Sequence, residues 1–144
     1  MLIPMNLATA DAIIEGIFRI AAGRKAPPLT VSVVDAGGSV VSLKRQDGAP
    51  LIRPEVATGK ARACIYWGKS SRAYGKLTED RPQFARSISD LAPSPLVPAA
   101  GGVPIKDASG ALIGAVGVSG DTSDNDEAMA AAALGELGLT AALE

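Results

Sequence analysis

Apolar residues recur every three or four positions between residues 7 and 22. Leu7, Ile13, Ile14, Ile17, Phe18 and Ala21 share one side, so the spacing predicts an amphipathic helix. Asn6 or Thr9 can cap its start and Gly23 ends it. The period then changes to that of a strand. LTVSVVDAGGSVVSLKRQDG reads as two short strands, Thr30 to Asp35 and Val40 to Lys44, joined by a glycine-containing turn. Pro54 suits a first helical position, and a helix is expected from about Glu55 to Lys69, with Val56, Ala63, Ile65 and Trp67 as packing residues. Tyr74, Leu77, Phe84 and Ile88 predict one or two short helices around Pro82. LAPSPLVPAAGGVPI reads as an ordered loop entering a strand. Strands near Gly102 to Lys106 and Ala111 to Ser119 form a second hairpin, turned by Asp107-Ala-Ser-Gly110. A last helix runs from Ser123 or Asp124 to Leu137. Successive hairpins between helices point to an α+β layout with an antiparallel sheet, in a single domain over residues 1–144 without internal repeats.

The fourth strand and its exit carry glycine at every third position, Gly114, Gly117 and Gly120. In a strand, residues three apart face opposite sides, so these glycines cannot line one groove. They fit either a helix packed closely on the strand with a sharp exit turn, or bare backbone near Gly117 to Gly120 that meets a ligand. The spacing matches neither a dinucleotide fingerprint nor a phosphate-binding loop. Asp121, Asp124, Asp126 and Glu127 follow at the helix start, where carboxylates satisfy orphan N–H groups and complement the dipole. Their order does not supply a calcium loop, and no metal site is assigned.

Composition narrows the chemistry. A formal charge of −1 and an aromatic content of 3% argue against nucleic acid as partner, for want of both a basic field and a stacking surface. The absence of histidine removes most zinc sites, Ser-His-Asp and Cys-His catalysis, and imidazole-ligated haem. One cysteine, Cys64, excludes an internal disulfide and reads as a small buried residue. Asp11, Glu15 and Arg19 interrupt the first apolar segment, so neither a signal peptide nor a membrane span is expected, and the default compartment is the cytoplasm.

Two cationic features remain. Arg45, within Lys44-Arg45-Gln46-Asp47, and Lys60 on the second helix would converge on an anionic ligand if the first hairpin lies beside that helix; otherwise both belong to solvated faces. Tyr66, Trp67 and Tyr74 read as packing residues, although a phenolate or thiolate can ligate iron.

Several motifs in one order, namely VVDAGGSVVSLKRQDGAP, ATGKARAC and AAGGVPIKDASGALIGAVGVSGDTSDNDEAMAAAAL, resemble the GlcG/HbpS-like family, also described as haem-degrading-domain-like and including the C-terminal domain of PduO-type proteins. The resemblance spans nearly the whole chain and is weakest between Ser70 and Pro95. It implies a profilin-like sandwich, with an antiparallel sheet of about five strands, and self-association as dimers or larger rings. It also implies binding of a tetrapyrrole (haem or corrinoid) or of a small carboxylate metabolite, in an accessory or sensor role. The matching positions are Arg45, Asp47, Lys60, Gly101, Gly102, Ser119 and Gly120, carried over as a family pocket. PduO-type domains hold haem through histidine; here haem would need Tyr, Cys, Met, Lys or unligated surface contact. The alternative is a cofactor-independent enzyme on a small organic acid, with Arg45 gripping the carboxylate and Lys60 or Asp47 moving a proton. A third is an oligomeric scaffold without ligand.

Overall fold

The computed structural model describes residues 4–144. The first three residues of the expected domain therefore lie outside the described residues. Helix α1 (Leu7–Gly23) starts at Asn6, whose side chain accepts the Thr9 N–H at 2.8 Å. The hairpin β1 (Thr30–Asp35) and β2 (Val40–Arg45) follows, then α2 (Arg53–Trp67), α3 (Ser71–Asp80) and α4 (Pro82–Leu91). The second hairpin is β3 (Gly102–Lys106) and β4 (Leu112–Ser119), followed by α5 (Ser123–Glu136) and a two-residue strand, β5 (Thr140–Ala141). The strands form one sheet in the order β2-β1-β4-β3-β5, and every pairing is antiparallel. This is the α+β architecture expected from the hairpins.

Strand alternation divides the chain into two unlike layers. Val31 and Val33 of β1, Val103 and Ile105 of β3, and Val116 and Val118 of β4 pack with Ile13, Ile14 and Ile17 of α1 and with Met129 and Leu134 of α5. Each such side chain contributes about 1.5–3 kcal/mol on burial, so this layer dominates stability. The opposite face carries Thr30, Ser32 and Val34 on β1 and Ala115, Gly117 and Ser119 on β4, paired in register as Thr30↔Ser119, Ser32↔Gly117 and Val34↔Ala115. Such a face has little bulk, and α2 lies almost on its backbone. A Cβ built on Gly117 would stand 1.9 Å from the carbonyl oxygen of Ala57. Gly114 turns the other way, with Met5 among its neighbours, and Gly120 makes the exit turn at φ 151°. Close packing and a turn therefore account for the glycine stripe.

The proline-rich segment lies over α2 and α3 through two further glycines. The Val97 N–H donates to the Gly59 carbonyl at 3.2 Å, and a Cβ on Gly59 would meet Val97 Cγ2 at 2.6 Å. A Cβ on Gly75 would meet the Pro98 carbonyl at 2.6 Å. Beneath, Tyr74 packs with Ala63, Leu96 and Trp67, and its hydroxyl lies 2.6 Å from Ser89 Oγ. Trp67 and Tyr74 are packing residues, as their positions suggested.

Candidate functional site

The residues singled out in sequence fall into two places. The first is the buried face at the middle of α2. Lys60 is 3% exposed, and its Nζ donates to the Val118 carbonyl at 2.9 Å and to Asp126 Oδ2 at 3.2 Å. Asp126, 1% exposed, uses its other oxygen to accept the Asp121 N–H at 3.0 Å. Burial pulls the Lys60 ammonium below its ordinary pKa, with the Asp126 charge opposing the shift. Burial likewise pushes the Asp126 carboxyl up, against Lys60 and the Asp121 N–H.

Gly101 and Gly102 belong to this place because the lysine lies across them. A Cβ on Gly101 would sit 2.8 Å from Lys60 Nζ, and one on Gly102 would sit 2.2 Å from the Lys60 carbonyl oxygen. Gly101 also has φ 128°, a conformation that disfavours any side chain. The Gly102 N–H donates to Ser71 Oγ at 2.7 Å, which in turn donates to the Ala99 carbonyl at 2.6 Å. At the end of β4, Ser119 Oγ accepts from Arg53 Nη1 at 2.9 Å. Gly120 is held where a Cβ would stand 2.5 Å from the Pro28 carbonyl oxygen.

The second place is a groove of about 760 Å³ at the outer end of β2. Phe18, Ala26 and Pro28 give it an apolar side, and Lys44, Arg45 and Asp47 give it a charged one. Lys44 is already engaged, at 2.8 Å from Glu15 and 3.8 Å from Asp11, and the hydrogen bond it donates to Glu15 is the main cause of its raised pKa. Arg45 and Asp47 are exposed, and among the described residues neither has an ion-pair partner.

The expected meeting of Arg45 and Lys60 is therefore not made. Arg45 pairs with Thr30, and Thr30 pairs with Ser119, so Arg45 lies two strands from β4. At about 4.8 Å per strand that is on the order of 10 Å. Lys60 reaches β4 on its far side, because Val118 turns its hydrogen-bonding groups towards Gly101 and not β1. The two alternative proton carriers differ in their surroundings. Lys60 is committed to Asp126 and Val118, while Asp47 stands in an exposed turn.

The acids of α5 divide their roles. Thr122 caps the helix, accepting the Asn125 N–H at 3.2 Å. Asp124 and Glu127 pair with Arg72, and Asp121 accepts from the Thr122 N–H and from Asn125. Asp126 alone turns inward, and its pairing with Lys60 was not foreseen. Cys64 is buried in apolar surroundings that push its thiol pKa well above the ordinary range. Arg53 was also missed as a partner of Ser119.

A five-stranded antiparallel sheet layered with helices, with a sealed ion pair inside and an open cationic groove at its edge, defines a profilin-like α+β domain. Residues 5–135 match the model of the haem-degrading protein HbpS-like family, and the chain belongs to that family. Among solved structures, HbpS is 28% identical with a TM-score of 0.81, covering 96% of this chain and 93% of that one. The PduOC:heme complex is 20% identical with a TM-score of 0.84, covering 99% and 100%, and at that identity it speaks for the fold. The ORFY protein of Klebsiella pneumoniae is 24% identical with a TM-score of 0.81, covering 94% and 92%. No curated protein matches. Among the described residues, no helix is long and apolar enough to cross a membrane.

Proposed function

We propose that this chain is a cytoplasmic, self-associating accessory or sensor protein that binds an organic anion with an apolar body, a tetrapyrrole carboxylate first and a small carboxylate metabolite second, in the groove beside Arg45. The observation that carries this is a guanidinium that has no ion-pair partner among the described residues and stands next to Phe18, Ala26 and Pro28. An arginine so placed suits a carboxylate while the apolar side takes the hydrophobic part of the ligand. Asp47, on the same groove, would accept a ligand hydroxyl or orient Arg45. Lys60, Gly101, Gly102, Ser119 and Gly120 act in support, holding α2 and the end of β4 in place.

The fit to haem is partial, and the residues say in what way. The groove offers a surface for the macrocycle and Arg45 for a propionate, but no imidazole, and its amine, Lys44, is held by Glu15 and Asp11. Haem would then rest on face and carboxylate contacts. Its chemistry, when bound, would be that of an iron tetrapyrrole without an axial histidine. Soret-band titration at micromolar protein, together with thermal shifts over hydroxy acids and aromatic acids, tests the proposal with Arg45→Ala as control. A saturable response that Arg45→Ala weakens supports it. An unchanged free-haem spectrum and no shift from any acid, or a response indifferent to Arg45→Ala, refutes it.

A further inference from the structure

On the other side of the edge strand β2 lies a narrower cleft of about 310 Å³, between Leu43, one face of α2, and Pro95 of the proline-rich segment. It is separate from the Arg45 groove, with which it shares no residue. We infer that this cleft binds a small organic monocarboxylate with an apolar body, its carboxylate on Arg62.

Helix phase builds the site. Glu55, Thr58, Gly59 and Arg62 follow one another at intervals of three, one and three, and so share a face of α2 that lines the cleft. At Gly59 that face carries no side chain, so Val97 and Pro95 of the proline-rich segment close directly onto the helix and wall the cleft there. Pro54, Leu43 and Pro95 supply apolar wall, and the size falls at the lower end of the roughly 300–1,000 Å³ usual for small-molecule sites.

Polarity sets the ligand's orientation. The Arg62 Nε–H donates to the Gly38 carbonyl at 2.9 Å, which fixes the guanidinium plane. Among the described residues Arg62 has no carboxylate partner, so its two terminal nitrogens remain to grip an anion end-on. Glu55 stands two helical turns away, about 10 Å along the axis. A second carboxylate would face Glu55 at that end, so a dicarboxylate of this length is disfavoured. Thr58 spends its hydroxyl proton on Ser32 Oγ at 2.9 Å, leaving only acceptor capacity for a ligand hydroxyl.

The test uses 3-phenylpropionate as probe, with 3-phenylpropanol as its uncharged counterpart and a phenyl-bearing dicarboxylate as a third arm, followed by amide NMR shifts on the full chain. The expected result is saturable binding that moves the Leu43, Thr58 and Gly59 amides. Affinity should fall roughly ten-fold or more for the alcohol and for Arg62→Met, and the dicarboxylate should bind more weakly. Affinity for the cleft is read from the Leu43, Thr58 and Gly59 amides alone, and shifts at Phe18 and Gln46 of the Arg45 groove are fitted as a separate event, which separates the two sites. Because Arg62→Met also removes the bond to Gly38, Leu43→Trp provides a second variant that fills the cleft and keeps the arginine. Equal affinity in either variant that retains a native-like spectrum, shifts confined to the Arg45 groove, or no saturable shift at millimolar probe would overturn the assignment.

Discussion

Lys60→Met keeps most of the lysine stem and removes its charge, leaving Asp126 as an unpaired carboxylate at 1% exposure with only the Asp121 N–H at 3.0 Å. Removing one member of a buried pair costs about 3–5 kcal/mol, because the surviving charge keeps its desolvation penalty and loses its partner. For a chain of this size the loss corresponds to a fall in Tm of roughly 10–15 °C. Asp126→Leu should cost a similar amount, since the ammonium would retain only the Val118 carbonyl. The double variant removes both charges and leaves one carbonyl and one N–H to be satisfied, about 1–3 kcal/mol each. Its cost should fall well below the sum of the singles. A double-mutant cycle by urea unfolding measures that coupling.

Acidity gives the same prediction a second reading. In Lys60→Met, burial raises the Asp126 pKa with no cation to oppose it, so the folded chain holds a proton that the unfolded chain, titrating at roughly 3.9, has released. A raised folded-state carboxyl favours the folded state below that value and loses the advantage as pH rises through the folded pKa. The deficit of Lys60→Met relative to the native chain should therefore widen from about pH 4 towards neutrality. Single variants that each cost less than about 1 kcal/mol, or a deficit flat across that range, would refute the reasoning.

Gly117→Ala should cost more than about 3 kcal/mol, or prevent folding, because its Cβ would stand 1.9 Å from the Ala57 carbonyl oxygen and α2 would have to lift off the sheet. Gly135→Ala, whose Cβ meets nothing within 4 Å, should instead gain about 0.5–1 kcal/mol, and thermal melts of the two check the contrast. Thr30→Val should stabilise by about 1 kcal/mol in urea unfolding, because the Thr30 hydroxyl is buried and has no hydrogen-bond partner among the described residues. The Cys64 thiol, buried and with its pKa pushed up, should react with a disulfide reagent only as fast as the chain opens, its rate rising in step with urea.

Most of the elements were legible because hydrophobic period and punctuation agreed. The β3 limits matched, β2 and β4 shifted by one residue, and both helices flanking Pro82 formed. Strand parity also held: Gly114 and Gly117 do face opposite sides, so the choice between a ligand surface and a packing surface could be settled once Ala57 was found over Gly117. β5 was harder to see, since two residues carry no period at all. The convergence of Arg45 and Lys60 failed for a different reason. Proximity of a hairpin to a helix leaves open which strand the helix crosses, and here α2 lies chiefly over β4 and β1 while Arg45 stands on the edge strand.

A partner for Lys60 was nevertheless encoded in helix phase. Lys60 shares its stripe with Ala57, Ala61 and Cys64, and Asp126 shares its own with Met129, Ala130 and Ala133; all of these are buried. A charge at the apolar phase of a helix must find an opposite charge or enough hydrogen bonds, because desolvation alone would otherwise neutralise it. Two such misplaced charges of opposite sign, on helices packed against the same strand β4, are each other's simplest solution. The bare backbone at Gly101 and Gly102 then follows from the pair, since a lysine can cross from the α2 layer to Asp126 only where the intervening strand end offers no side chain in its way. The glycines near Lys60 thus make room for the cation's own counter-charge.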